Sequence, residues 1–552
     1  MSETIKPDST RVAGLAAARA AFRWDVPPHF NFARDVLDVL GGEDRLGLVF
    51  LDAQNVRRDF SFPQIADASR RYAGALRDLG VAQGERVIVL LPKIPHWLFA
   101  MTALQRLGAV AIPCAEQLRA KDLAFRANHS EATTVIAHVT NYKEVDLMRA
   151  EAAGVTRFLL VGGAAPGWTQ FDELSAQAAP FAGNPTQADE MAYIVYTSGT
   201  TKDPKGVVHL HRYTYAKRME AQFWLDAKRD DLVWCTAGTG WAKSLWNVLL
   251  GPWSCGAAIV LHEGAFDGVG RMDLIAALGV NVLCQAPTEY RILAKLDDLA
   301  TRWKLPELRH CCSAGEPLNP EVVLLWQRAF GLPIYDGYGQ TENSLLVANL
   351  PGMEIRPGSM GLPTPGHTVT VIDAEGKTCE AGDPGDIALH DHPPTLFAGY
   401  YKNDAETKNS LRGEWYLTGD RAQLDDDGYF WFVGRADDVI SSAGYRIGPF
   451  EVESALLEHP AVVESAVVGS PDADRGNVVK AFVVLRTGHE PSEALIRELQ
   501  EHCKRVTAPY KYPREIEFVA ELPKTRSGKI RRVELRQAEL RRKGATAASG
   551  FV

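Results

Sequence analysis

The chain has 552 residues, which at roughly 100–200 residues per domain allows several structural units and excludes a small stapled module. Sixty Lys and Arg against sixty-nine Asp and Glu leave a formal charge of −9, which excludes a protein built mainly to hold nucleic-acid phosphates, so any basic site must be local. Hydrophobic residues at 46% and charged residues at 23% match soluble globular chains and argue against both disorder and a membrane-embedded chain.

The opening MSETIKPDST lacks the charged-then-apolar pattern of a secretory signal, and no run approaches the roughly 18 apolar residues of a membrane span. A cytoplasmic location is expected. Short β-branched runs then alternate with helical periodicity. Strands are predicted at Val87–Leu91, Ala109–Ile112, Thr133–His138, Phe158–Val161, Ala192–Tyr196, Leu232–Cys235, Ala258–Leu261 and Val280–Cys284, with Leu98, Met101, Leu104 and Leu107 at helical spacing between the first two. This βαβ rhythm predicts an α/β class with at least two largely parallel sheets.

Eight cysteines (114, 235, 255, 284, 311, 312, 379, 503) show no C-x-x-C spacing, which argues against a zinc knuckle or a disulfide framework. They read as buried small hydrophobes, and strand alternation places the adjacent Cys311 and Cys312 on opposite faces. Past Glu342 the texture changes to Gly- and Pro-punctuated short strands (GSMGLPTPGHTVTVID, GDIALH, GYFWFVGR), predicting a small β-barrel-like subdomain. A boundary near Gly434 divides an N-terminal unit, 1–434, from a C-terminal one, 435–552. In the latter, VVESAVVG, AFVVL and EIEFV alternate with helices around Phe450–Leu457 and Glu493–Cys503, enough for a small, mobile α+β lid. The tail LRQAELRRKGATAASGFV reads as a solvated helix that frays.

The strand ending at Tyr196 runs straight into TSGTTKDPKG, which combines Thr197, Ser198, Gly199, Thr200, Thr201 and Lys205. Glycine lets backbone N–H groups approach phosphate oxygens, hydroxyls add donors and Lys205 supplies charge. The spacing does not match G-x-x-x-x-G-K-[ST], so a P-loop NTPase is excluded.

Four further segments follow in order: DGYGQTE at 336–342, YLTGD at 416–420, GRADDVI at 434–440 with GYRI at 444–447, and PKTRSGK at 523–529. Together the five resemble the adenylate-forming (AMP-binding) superfamily of acyl-CoA synthetases, firefly luciferase and peptide-synthetase adenylation domains, over nearly the whole chain. TAGTGWAK at 236–243, SAGEPL at 313–318 and the early FNFARDVLD are similar to the medium-chain acyl-CoA synthetase branch. One departure is Lys202, where most members carry glycine.

The resemblance implies a ligase in fatty-acid or lipid metabolism with two half-reactions. A carboxylate attacks the α-phosphate of ATP and releases pyrophosphate; the coenzyme A thiol then displaces AMP from the acyl-adenylate. It assigns Lys529 to the bridge between carboxylate and α-phosphate, Thr341 to the α-phosphate, and Glu342 to Mg²⁺, a hard carboxylate ligand for a hard cation. Asp420 would grip the ribose hydroxyls with Arg435 assisting. Tyr338 would stack on adenine, Gly315, Glu316 and Pro317 would form the opposite wall, and Asp336 would approach the exocyclic amine, with Gly337 and Gln340 completing the nucleotide set. Arg446 would meet the β/γ-phosphates. Ala443, Gly444 and Tyr445 would line the pantetheine tunnel after the lid turns about a hinge at Asp437, and Arg475 and Lys504 would face the 3′-phosphate of coenzyme A.

Acetate-specific relatives close the acyl pocket with tryptophan at the position of Gly339, so an open floor is expected here, with Ala242 and Ala314 also small. Each buried CH₂ then adds roughly 0.8 kcal/mol, favouring short- to medium-chain or branched acids. Lys243 either caps the pocket with its alkyl stem or forms a salt bridge elsewhere. Trp241 and Trp246 are pocket or core, and as pocket would admit aromatic acids such as benzoate. His209 and His211 form an H-x-H pair without a third metal ligand. The alternatives carried are an aryl acid–CoA ligase, a stand-alone adenylation domain loading a carrier protein, a silent nucleotide-binding protein and, remotely, luciferase-like oxidation. The implied partners are the acid, ATP and coenzyme A, with no nucleic acid; a homodimer is the assembly carried.

Overall fold

The computed structural model describes residues 4–6, 9–197, 204–435, 438–442, 445–472, 475–524 and 530–543. The Val-, Ile- and Leu-rich runs form strands buried on both faces, as parallel sheets require. Arg86–Leu90, Val110–Pro113, Thr134–His138 and Arg157–Val161 pair in parallel, and Met191–Thr197 joins beyond Val110–Pro113. Lys205–Leu210 adds antiparallel to Met191–Thr197, within an eight-stranded sheet. The helix Pro95–Leu107 links the first two strands and is buried almost throughout. Its Arg106 is 0% exposed, yet its guanidinium is fully engaged by both Asp38 oxygens at 2.7 and 2.8 Å, the Ala182 and Ala33 carbonyls, and Ser69. A buried cation persists only when partnered in this way.

A second sheet of 14 strands runs, in part, Arg57–Ser61, Leu46–Leu51, Ala258–His262, Leu232–Cys235, Val282–Gln285, His310–Ala314 and Ile334–Gln340, all parallel neighbours except the first pair. The largest apolar core includes Cys312, Trp224 and Trp253; a second includes Cys311, Trp234 and Trp326, so the adjacent cysteines do diverge to two cores. Among the described residues all eight cysteines are free. At the carboxyl ends of the parallel strands the two sheets meet. Thr239 Oγ1 donates to the Leu91 carbonyl at 2.5 Å, and a Cβ on Gly240 would come within 2.1 Å of the Ala115 nitrogen. Ligands of open α/β sheets bind outside such an edge.

The β-rich stretch after Glu342 is joined to the long sheet by strand pairing. Its strands continue the same sheet antiparallel through Ser344–Ala348, Ser359–Pro363, Phe430–Arg435, Trp415–Leu424, Gly385–His390 and Thr368–Ile372. Beyond it lie the short pair Ile440–Ser442 and Tyr445–Ile447, and a three-stranded sheet of Val462–Asp472, Gly476–Leu485 and Glu515–Phe518 packed on Pro449–Leu457 and Glu493–Val506. No helix of the described residues is long and apolar enough to cross a membrane.

Ser359–Pro363 lies within the antiparallel half, pairing with Ser344–Ala348 on one side and Phe430–Arg435 on the other. There Gly361 has φ +96°, and a Cβ on it would lie 2.2 Å from the Ala348 carbonyl carbon and oxygen. Gly413 has φ +61° with nothing within 4 Å of its would-be Cβ. We therefore expect Gly361→Ala to destabilise the protein by about 3 kcal/mol or more, and Gly413→Ala by about 1 kcal/mol, the backbone cost alone. Thermal unfolding of the two variants side by side checks this; equal midpoints would contradict it.

Candidate active site

The hairpin Ile334–Gln340, Ser344–Ala348 carries the DGYGQTE motif over the end of the parallel strands, with Thr341, Glu342 and Asn343 at its turn. Asn343 is 0% exposed and folds the turn on itself, accepting from the Gln340 N–H at 3.0 Å while its own N–H returns to the Gln340 carbonyl. The Tyr338 hydroxyl donates to Asp420 Oδ2 at 2.6 Å, and Gln340 Nε2 donates to the same oxygen at 3.0 Å and to the Thr418 carbonyl at 2.7 Å. Asp420 and Arg435 are register partners on adjacent strands. The structure thus brings Tyr338, Gln340, Asp420 and Arg435 together, and the Gln340 amide acts as a brace for Asp420. Glu342 is fixed separately: Tyr400 donates to its Oε1 at 2.9 Å and the Phe397 N–H to its carbonyl at 2.7 Å. Burial is the main influence on this carboxyl and raises its pKa.

The loop after His310–Ala314 faces this hairpin. A Cβ on Gly315 would meet nothing within 4 Å, so open space lies before it. Glu316 is held from behind by the Thr288 hydroxyl at 2.8 Å and Arg291 at 2.6 Å, and Pro317 offers its carbonyl to the same Arg291. Asp336 stands beside Ser313 in strand register, one residue before Gly337. Its residue surface is only partly covered, but Oδ1 is sealed from solvent without a hydrogen-bond partner, an acceptor suited to an amine from outside. Burial pushes this carboxyl up to about 8.

On the other sheet, Thr197 ends its strand opposite Lys205. The Lys205 ammonium pairs with Glu406 and lies 5.1 Å from the Tyr400 ring, so its charge is already partnered. Ser198, Gly199, Thr200, Thr201, Lys202, Asp437, Ala443, Gly444 and Lys529 lie outside the described residues. Tyr445 and Arg446 are described as backbone of the Tyr445–Ile447 strand. Arg475 is exposed, and Lys504 is paired with Glu501 on its own helix at 2.7 Å and lies over the Tyr512 ring, so neither is drawn into the hairpin region.

Along the expected acyl wall, the Lys243 ammonium is directed to backbone carbonyls rather than to a salt-bridge partner, held by the strand-end carbonyls of Ala314 at 3.0 Å and Gln285 at 3.3 Å. Ala242 is buried, and Ala314 partly so. Trp241 is 42% exposed and is therefore not core, whereas Trp246 is buried against Tyr213 and Lys217. The floor expected to be open at Gly339 needs correction: a Cβ there would fall 1.5 Å from the Ser344 carbonyl oxygen, so the space of the missing side chain is filled by main chain.

His209 and His211 are buried and held neutral, pushed down by burial to about 3 and about 4, with the Thr341 backbone pulling His209 the other way. No group of three or more His, Cys, Asp or Glu among the described residues is placed to hold a metal ion. Sequence reading passed over Glu220, Tyr400 and Ser344. Tyr400 and Glu220 lie 58 and 124 residues from their hairpin partners, and no local pattern announces such contacts.

The AMP-binding enzyme family profile matches residues 42–401, and the AMP-binding enzyme C-terminal domain profile matches residues 451–529. The chain is 44% identical to acyl-coenzyme A synthetase ACSM3, mitochondrial, of Rattus norvegicus, over 94% of this chain and 92% of the relative. It is 43% identical to an uncharacterized acyl–CoA ligase, YtcI, of Bacillus subtilis (strain 168), over 93% of this chain and 97% of the relative. Among solved structures, the anthranilate CoA ligase AuaEII in complex with anthranoyl-AMP superposes with a TM-score of 0.88 at 32% identity, covering 95% of this chain and 100% of that one. A benzoate CoA ligase from Burkholderia xenovorans LB400 gives 0.82 at 30% identity, covering 92% and 100%.

The raised Asp336 carboxyl carries a pH signature. Its pKa is about 8 in the folded protein and about 4 in an unfolded chain, so between those values the folded state binds more protons and stability falls as pH rises. Asp336→Asn removes this loss, and its unfolding midpoint should exceed that of the parent by a margin that grows from pH 5 to pH 8. A margin independent of pH would contradict the assignment.

Proposed function

The chain belongs to the AMP-binding enzyme family, and from that premise we propose how its residues perform AMP-forming ligation of a carboxylic acid to coenzyme A. Acid–CoA ligase activity itself follows from relatives named as acyl-CoA synthetase and acyl–CoA ligase that match over nine-tenths of the chain. The observation that supports the residue roles best is the Tyr338–Asp420–Gln340 contact beside the Thr341–Glu342 turn.

In this reading adenine lies between Tyr338 and the Gly315–Pro317 loop, its amine donating to Asp336 Oδ1, and Asp420 accepts from the ribose hydroxyls. Thr341 donates to an α-phosphate oxygen. Mg²⁺ arrives with ATP, and a lone buried carboxylate such as Glu342 fits a cation that keeps waters and phosphate oxygens as its other ligands. The acid's carboxylate oxygen bonds to the α-phosphorus as the bond to the β-phosphate oxygen breaks, and pyrophosphate leaves. The thiol of coenzyme A, giving up its proton, then bonds to the acyl carbon, and AMP departs with the oxygen that the acid donated. Lys529, from the unit 435–552, is placed by its motif as the cation that offsets charge on the pentavalent phosphorus. That unit turns about Asp437 to bring Gly444 to the thiol's path.

For the acid, we favour a short- or medium-chain, straight or branched substrate, supported not by Gly339, whose side-chain space is filled, but by the small Ala242 and Ala314 on the expected acyl wall and by relatives named as acyl-coenzyme A synthetases. An aromatic acid is the second reading, favoured by the anthranilate and benzoate ligases among the structural neighbours.

Two measurements check these roles. Lys529→Ala should lose about 10²–10³ in adenylation rate while still forming thioester from supplied acyl-adenylate; equal loss in both assays would refute the role. AMP release across acetate to decanoate, branched acids and benzoate should favour hexanoate over acetate by about 3 kcal/mol in apparent specificity, as four extra buried methylenes imply. A maximum at acetate or at benzoate would replace the first reading.

A further inference from the structure

Ser344 closes the hairpin turn in a conformation that L-residues avoid. Its φ is +77°, it is 0% exposed, and it is neither Gly, Asn nor Asp, the residues that tolerate the left-handed region best. Ser344 Oγ donates to Glu220 Oε2 at 2.5 Å. Glu220, 2% exposed on the helix His211–Phe223, has the same oxygen 3.4 Å from the ammonium of Lys217, one turn earlier. Lys217 is 0% exposed, with its ammonium 3.9 Å from the Tyr213 ring centre and 4.6 Å from that of Trp246.

A buried ion pair contributes little net stability, so its presence here asks for a geometric role. The Ser344 carbonyl is also the atom that fills the place of a Gly339 side chain, where the hairpin register shifts between Tyr338 and Gly339. Lys217 therefore orients Glu220, Glu220 holds Ser344, and Ser344 fixes the turn carrying Thr341 and Glu342. Asn343 and Tyr400 fasten the sides of that turn through Gln340 and Glu342, not through the Ser344 hydroxyl.

We propose that Glu220 is a positioning residue for adenylation: by accepting from Ser344 Oγ it holds Ser344 in the left-handed conformation that presents Thr341 and Glu342 to the α-phosphate and its metal. This rests on the reading that Thr341 and Glu342 serve the nucleotide.

Glu220→Ala strands the Lys217 ammonium and disturbs folding, so the decisive variants are Ser344→Ala and Ser344→Gly in the full chain, which leave the ion pair intact. The assay is acid-dependent exchange of labelled pyrophosphate into ATP at saturating ATP, Mg²⁺ and acid, with thermal unfolding alongside. Ser344→Ala loses the bond but keeps the strain, and should slow exchange about tenfold, or about 1.4 kcal/mol of barrier, with the KM for ATP changed by less than about twofold. Ser344→Gly also loses the bond, but glycine adopts positive φ without cost, so its rate should return to within about twofold of wild type. An alanine variant as fast as wild type, or a glycine variant as slow as alanine, overturns the clamp. A purely structural role would shift both unfolding midpoints and leave the rates of the folded enzymes alike. Exchange by the wild type with an unaffected alanine variant overturns the clamp alone; no exchange by the wild type with any acid overturns the functional reading and the clamp together.

Discussion

One carboxylate oxygen, Asp420 Oδ2, ties the parallel half of the long sheet to its antiparallel half. It accepts from Tyr338 and Gln340 of the last parallel strand while its own backbone pairs with Arg435 in the antiparallel layer. In the proposed reading the site depends on this tie because the groups assigned to the nucleotide come from both halves, and a small relative shift would separate the Tyr338 face from Asp420. Charge-assisted hydrogen bonds to a half-buried carboxylate are strong and directional enough to set that distance before any ligand arrives. The hairpin then places Thr341 and Glu342 a few residues farther along, so in the proposed reading one junction in the sheet serves base, sugar and phosphate.

Around that junction the chain keeps buried groups in states that differ from their states in water. His209 and His211 are neutral because burial penalises the imidazolium. Asp336 is pushed toward its protonated form by the same cost, and Lys217 is lowered to about 8 although Glu220 and two aromatic faces support its charge. Such groups concentrate at sites where an incoming ligand supplies the missing partner.

Much of the fold was legible because its strands are buried on both faces and read as continuous apolar runs: Leu232–Cys235 coincides with its predicted bounds, and Thr133–His138 differs by one residue. The strands that carry the chemistry were harder to read. Ile334–Gln340 contains two glycines and an aspartate, and Lys205–Leu210 offers only the pair Val207–Val208 between Lys205-Gly206 and His209, so neither shows a sustained β-branched run. The merging of the β-rich region into the long sheet was hidden for another reason, since turn signals mark strand ends but not which edge a strand joins. In the candidate site, Tyr338, Gln340 and Asp420 lie in the motifs and fix one another, whereas the contacts to Glu342 and to the turn's end come from Tyr400 and from Ser344 with Glu220, which no motif marks. The closeness of Gly339 to the Ser344 carbonyl, which overturned the open-floor argument, is a matter of backbone path that residue identity does not carry.

The central claim is that the acid itself attacks the α-phosphorus and is activated as an acyl-adenylate. It is tested most directly by supplying an acid labelled with heavy oxygen in its carboxylate, together with ATP, Mg²⁺ and coenzyme A, and weighing the products. The account predicts one labelled oxygen in AMP and none in pyrophosphate. Label appearing in pyrophosphate or inorganic phosphate, or thioester formed with unlabelled AMP, would contradict it.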